Sequence, residues 1–210
     1  MQPGSVLPVA AAAAAAYLAG AVPFGLVVGR ALRGLDIREH GSRNLGATNA
    51  WRVLGPRIGV LVLLLDAGKG LVPVLAARAL AGEAAAFAAG AAAILGHVFP
   101  IYLRFRGGKG VATSAGVLAA LAPVETAVAA VAFALALAAT RIVSVGSLAA
   151  AVALPATAIL RDPGTALASR LPITGLALAA AVLVFVRHRA NLGRLARGLE
   201  PRIGAASGPR

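Results

Sequence analysis

Apolar runs long enough to cross a lipid bilayer restrict the folds open to this chain more than any other feature. A helix needs about 20 mostly apolar residues to cross the hydrocarbon core, and Val6 to Val28 meets that length. Further runs lie at Ile58 to Ala77, Ala84 to Leu103, Val111 to Leu121, Pro123 to Ala139, Ser144 to Leu160 and Leu171 to Val186. With 60% of residues hydrophobic and only 13% charged, a soluble domain does not fit. The expected fold is all-α and integral to the membrane, with seven transmembrane helices. The span at Val111 to Leu121 is short, with Pro123 marking its junction with the next, and Pro23-Phe24-Gly25 is placed to kink the first span. Val6 to Gly20 has the apolar character of a signal peptide, but the first basic residue is Arg30, on its far side, so a retained helix is expected. No internal repeat is visible, and residues 1–210 read as one polytopic domain.

Charge sets an orientation. With the N-terminus outside, the cytoplasmic segments hold Arg30, Arg33, Arg38, Arg43, Arg52 and Arg57, then Arg104, Arg106 and Lys109, then Arg141 and the tail from Arg187. The outer loops hold only Arg78, Arg161 and Arg170. This positive-inside bias places the C-terminus in the cytoplasm. A five-span arrangement with the short fourth and the fifth segments on one side keeps the same ends, and charge does not separate the two. The basic residues sit in short connectors with little aromatic interleaving, so nucleic acid is not the expected partner. There is no cysteine, and no three His or carboxylate residues stand at ligand spacing, so no metal is expected.

The polar residues concentrate in the connectors. Gly41-Ser42-Arg43-Asn44-Leu45-Gly46-Ala47-Thr48-Asn49-Ala50-Trp51-Arg52 brings hydroxyls, amides and guanidinium groups together, and Arg52 suits a bidentate grip on phosphate. The same groups also suit backbone satisfaction and helix capping. Gly107, Gly108 and Gly110 allow amide N–H groups to turn inward, next to Lys109 and a helix start near Val111. That is the chemistry of a phosphate cradle, set against a basic loop that only enforces topology. It is not a Walker A loop, because Leu103 stands where a glycine is required. His40 reads as solvated and His97 as a structural histidine. His188, between two arginines, reads as a neutral ligand contact. Asp66 and Lys69 share a helix side and form an expected buried pair, either functional or bracing. Ser144 and Ser147 are helix caps or, with Arg141, part of an anion pocket.

Three segments resemble the signature motifs of the bacterial acyl-phosphate:glycerol-3-phosphate acyltransferase family. They are Gly41 to Asn49, Gly96-His97-Val98-Phe99-Pro100 with Phe105 to Thr113, and His188-Arg189-Ala190-Asn191-Leu192-Gly193-Arg194-Leu195. Val22-Pro23-Phe24-Gly25, Asp66 with Lys69-Gly70, and Ser144 after Arg141 add to the likeness, which covers nearly the whole chain. One departure is Arg43, where the family usually has glycine.

The resemblance implies a multi-pass enzyme of the bacterial inner membrane, with its active site on the cytoplasmic face and no bound cofactor. It would move a fatty acyl group from acyl phosphate to the primary hydroxyl of glycerol 3-phosphate, giving lysophosphatidate and phosphate. An acyl-phosphate-forming enzyme would supply the donor, and a second acyltransferase would take the product. Ser42, Arg52, Lys109, His188 and Asn191 would hold glycerol 3-phosphate. Thr48, Asn49, the Gly107-Gly108 backbone and Ser144 would hold the acyl phosphate, with Asn44 and Arg189 as further binding residues. His97, Asp66 and Lys69 would support them. The bilayer is the expected partner surface. An organic-phosphate transporter also explains the spans and basic loops, although transporters bind near the midplane and here the polar residues gather at one surface.

Overall fold

The computed structural model describes residues 6–166 and 168–204, and among these there are helices and turns but no strand. The chain forms two compact units, Met1–Pro123 and Val124–Arg210.

In the first unit, α1 (Val6–Ala21) stops before Pro23, and α2 (Phe24–Arg33) continues at an angle of 41°. Proline has no N–H to donate and clashes with the carbonyl one turn back, so the expected kink is a break between two helices. Gly34, at φ 63°, closes α2 by donating to the Arg30 carbonyl. After the loop that follows comes the short α3 (Ala47–Leu54), then α4 (Pro56–Val98), which opens on a proline at its first turn. An unbroken helix of 43 residues would be roughly 65 Å long, about twice the hydrocarbon thickness. Gly82 interrupts it at φ 82° and ψ −173°, a backbone state essentially reserved for glycine. The arms 56–81 and 83–98 thus occupy the second and third apolar runs. The third run does not remain helical to Leu103 as expected. α4 ends at Val98, Pro100 follows, and Ile101–Leu103 form a 3₁₀ turn before α5 (Val111–Leu121).

α1 and α5 both pack along α4. Small residues permit backbone-to-backbone approach. A Cβ on Gly96 would lie 2.2 Å from the Tyr17 carbonyl oxygen, and one on Gly116 would lie 1.9 Å from that of Ala67. This is how helices associate in lipid, where burying leucine against leucine gains little over burying it against an acyl chain.

The second unit contains α6 (Pro123–Thr140), α7 (Val143–Leu160), the single turn α8 (Pro163–Ala166), α9 (Leu171–Arg187) and α10 (Arg189–Ala196). α7 packs against α9, and α10 turns from α9 by 58°. Glu125, buried in the first turn of α6, pairs with Arg170 and with Arg161 at 3.4 Å. These contacts fasten the start of α6 to the segments that flank α8.

Leu64 and Val72 of α4, Leu135 of α6, Val152 and Leu160 of α7 and Val182 of α9 are exposed. Apolar surface spread this evenly suits lipid. Among the described residues three helical stretches are long and apolar enough to cross a membrane, or five if each bent pair is one span.

Packing through Gly116 gives a direct test. Gly116→Ala should destabilise the protein by about 1–3 kcal/mol, because α4 and α5 must separate. Gly68→Ala on α4 meets open space and should be neutral or slightly stabilising. Thermal unfolding of the two variants in detergent provides the comparison.

Candidate active site

The expected site residues divide between the two units, and each set is organised by its own polar centre. In the first unit, Ile37 is fully buried with Val28, Ala50, Leu54 and Val62, which pins the connector after α2 against α3 and α4. Asp36 accepts bonds from Arg38 and Arg30. Bonding from Arg38 holds the Asp36 carboxyl far below the usual carboxylate range.

Asn49, 1% exposed, is the organiser of this loop. Its Nδ2 donates to the carbonyls of Ile37 at 2.8 Å and His40 at 3.2 Å. Its Oδ1 accepts from the Ser42 N–H at 2.8 Å and from the Ser42 hydroxyl at 3.1 Å. The amide orientation follows from these partners, since carbonyls only accept and a backbone N–H only donates. These bonds of the Asn49 amide are all to its own loop. Asn44 behaves similarly, accepting from the Gly46 N–H at 3.0 Å in a local turn that leads into α3. Ser42, Arg43 and Arg52 are exposed, Thr48 is partly buried, and His40 is exposed.

Arg43 has φ 57°, a left-handed conformation that glycine adopts freely and other residues pay for in strain. Arg43 thus holds a strained backbone position with its side chain in the open.

The glycine loop differs from the expected cradle. Gly107 N–H donates to the Val98 carbonyl and Gly108 N–H to the His97 carbonyl, each at 3.1 Å. These amides cap the end of α4, because that helix leaves its last carbonyls without partners. A Cβ on Gly107 would lie 2.2 Å from the His97 carbonyl oxygen, and one on Gly108 would lie 2.2 Å from His97 Nε2. The two glycines serve tight packing. Lys109 follows, then Gly110 at φ 81° as the residue preceding α5, whose positive dipole end adjoins the lysine.

Beneath both loops lies a polar group that only partly follows from sequence. Asp66 and Lys69 form the expected pair, with Lys69 Nζ 2.7 Å from Asp66 Oδ1. Lys69 also donates to the Val22 carbonyl at 2.7 Å and sits 5.5 Å from the Phe24 ring centre. His97 Nδ1 is 3.1 Å from the Thr113 hydroxyl, which donates to the Asp66 backbone carbonyl at 2.9 Å. The pair braces the break between α1 and α2.

In the second unit the centre is Glu200, 7% exposed, which the sequence reading missed. Its Oε1 accepts from the Ser144 hydroxyl at 2.8 Å and from Asn191 Nδ2 at 2.5 Å, and its Oε2 accepts from Arg194 Nε at 2.7 Å. Burial works to raise the Glu200 carboxyl, but the bonds from Asn191, Arg194 and Ser144 outweigh it and hold the group below its ordinary range. The available signal was that Glu200 is the lone acid in the arginine-rich tail. His188 is buried, with Nδ1 donating to the Val184 carbonyl at 2.8 Å, and Arg189 is exposed. Ser147 is not a cap but donates back to the Val143 carbonyl one turn earlier in its own helix, and Ile203 N–H donates to the carbonyl of Arg141. Among the described residues no group of His and carboxylates is placed to hold a metal.

Residues 10–198 match the family described as glycerol-3-phosphate acyltransferase. A glycerol-3-phosphate acyltransferase of Anaeromyxobacter dehalogenans is 47% identical over 195 residues, covering 90% of this chain and 94% of that protein. One from Synechococcus elongatus is 46% identical over 209 residues, covering 95% and 96%. The fold is similar to the crystal structure of PlsY (YgiH), an integral membrane glycerol 3-phosphate acyltransferase, in its glycerol 3-phosphate form. The TM-score is 0.85 at 34% identity, covering 93% of this chain and 96% of that one. The lysophosphatidic acid form of that protein gives 0.83.

Two outcomes follow for these centres. Arg43→Gly should stabilise the protein by about 1 kcal/mol through relief of the left-handed strain, partly offset by chain entropy. Glycerol 3-phosphate kinetics should stay unchanged; a raised thermal midpoint with an altered KM would show that the side chain reaches the ligand. Because the Glu200 carboxyl is lowered in the folded protein, its contribution is complete above its unfolded value of 4.5 and is lost as pH falls through the lower folded value. Glu200→Gln should therefore cost about 1.5–3 kcal/mol at pH 7. The thermal midpoints of variant and parent should converge in acid, where both side chains are neutral.

Proposed function

Because this chain belongs to the glycerol-3-phosphate acyltransferase family, we propose that it makes lysophosphatidate from glycerol 3-phosphate using acyl phosphate as the donor, the first step of phospholipid synthesis. The likeness to an integral membrane relative in its glycerol 3-phosphate form, over nearly the whole chain, is the observation that carries this reading. The family match runs through both compact units, which supports treating them as one enzyme.

In the proposed reaction the primary hydroxyl oxygen of glycerol 3-phosphate attacks the acyl carbonyl carbon, and the bond from that carbon to the phosphate oxygen breaks. The hydroxyl proton passes to a phosphate oxygen of the donor, which leaves as inorganic phosphate. A mixed anhydride carries its own leaving group, so alignment supplies much of the acceleration. Ser42, Arg52, Lys109, His188 and Asn191 are assigned to glycerol 3-phosphate. Thr48 and the dipole end of α5 are assigned to the acyl phosphate, where positive charge offsets what gathers on the leaving group. Arg189 adds to the cationic surroundings. Asn44, Asn49, Gly107, Gly108 and Ser144 act by shaping the loops, given their bonds within each unit.

The distribution of arginines supports seven spans with the N-terminus outside and the reaction at the cytoplasmic face of the inner membrane. In that setting an acyl-phosphate-forming enzyme delivers the donor, and a second acyltransferase consumes the product.

Purified protein in detergent, given labelled glycerol 3-phosphate with acyl phosphate, acyl-CoA or acyl carrier protein in parallel, tests the reading. Lysophosphatidate and phosphate should form in equal amounts with acyl phosphate alone. Product formation without vesicles excludes a transporter, and absence of product with all three donors refutes the enzyme. Lys109→Ala and Arg52→Ala should each reduce kcat/KM on the order of a hundredfold, and near-normal transfer in folded variants would overturn their assignment.

A further inference from the structure

The buried group under the two loops has no part in the proposed chemistry, yet it touches both. Thr113 is fully buried, Asp66 is 2% exposed, and Lys69 and His97 are nearly as enclosed. A cavity of about 10 Å³, room for roughly one water-sized group, is lined by Pro23, Leu45, Asp66, Lys69, His97 and Gly108 among others. Leu45 belongs to the first polar loop and Gly108 to the second.

Proton positions follow from the partners. The Thr113 hydroxyl gives its hydrogen to the Asp66 backbone carbonyl, so its oxygen is an acceptor toward His97 Nδ1. The Asp66 carboxylate lies 3.8 Å from the same nitrogen, and a lone pair there would face negative charge. His97 thus carries its proton on Nδ1 and turns Nε2 toward Gly108, against which the ring packs. The His97 carbonyl holds the N–H of Gly108 as well, so one residue grips the loop from two sides.

The other arm of the group begins at Lys69. It donates to the Val22 carbonyl at the Pro23 break at 2.7 Å, beside the Phe24 N–H that reaches the same oxygen at 3.1 Å. Immediately beyond the break, a Cβ on Gly25 would lie 2.0 Å from the Leu45 carbonyl oxygen, so the start of α2 and the first loop are in backbone contact. Moving the break moves the loop.

We propose that Thr113 and Lys69, which meet at Asp66, are positioning residues that hold the loop of Ser42 and the loop of Lys109 in register with one another. Thr113 does this by fixing the His97 tautomer, and Lys69 by fixing the Val22 carbonyl. The inference rests on the glycerol 3-phosphate reading for its kinetic readout, but not for its spectroscopic one.

Thr113→Val keeps the shape and removes the acceptor, whereas Thr113→Ser keeps it. In the valine variant, KM for glycerol 3-phosphate should rise on the order of tenfold, with kcat falling less, and the serine variant should lie within about twofold of the parent. Lys69→Met should raise the same KM. Nitrogen NMR of histidine-labelled parent protein should show His97 protonated at Nδ1 and lose that signature in the valine variant. Parent protein with His97 protonated at Nε2 overturns the proposal without any variant, as do valine and serine variants equally impaired or a valine variant with unchanged KM. A parent that makes no lysophosphatidate refutes the reaction assigned above, and the tautomer measurement then still decides the positioning role.

Discussion

A backbone carbonyl or amide without a partner inside a bilayer costs several kcal/mol, and the main features of the first unit follow from meeting that demand wherever a helix is interrupted. Pro23 ends α1, and the Val22 carbonyl beside the break accepts from the Phe24 N–H and from Lys69. Val98 ends α4, and the Gly107 and Gly108 amides return to cap it. The places where the chain departs from helix are also the places where it gathers charge, glycine and hydroxyls. Polar chemistry near lipid needs non-helical backbone, and non-helical backbone needs buried partners.

That demand explains why the polar residues form small closed groups. Asn49 satisfies two carbonyls and two donors of its own loop. Glu200 collects Ser144, Asn191 and Arg194. In each group a buried side chain sets the geometry, while exposed residues such as Ser42, Arg52 and Arg189 are left at the surface.

Backbone strain marks the same connectors. Arg43, Arg104, Phe105 and Arg141 all adopt positive φ, in the loops between helices. Such conformations cost on the order of 1 kcal/mol or more for residues with a Cβ, and they persist because neighbouring hydrogen bonds fix the turn. Around Arg104 and Phe105 the carbonyls of Pro100 and Ile101 accept from the strained residues.

The sequence by itself determined the helical, membrane-embedded class, because runs of apolar residues of bilayer length have few other fates. It also located the polar loops, the Asp66–Lys69 pair and the departure at Arg43, each legible from spacing, charge or family resemblance. Tertiary structure alone decided what those residues do for one another. Asn49 and Asn44 carry the same groups whether they bind a ligand or a loop, and only the positions of Ile37, His40, Ser42 and Gly46 make them loop organisers. The glycines at 107 and 108 look the same as a phosphate cradle until the end of α4 is seen to need their amides. The bond from Ser144 to Glu200 and the bond from Thr113 to the Asp66 carbonyl left no local pattern, because they span 56 and 47 residues of the chain. Hydrogen bonds over such separations are set by how helices pack, and packing is decided by shape that no single segment contains.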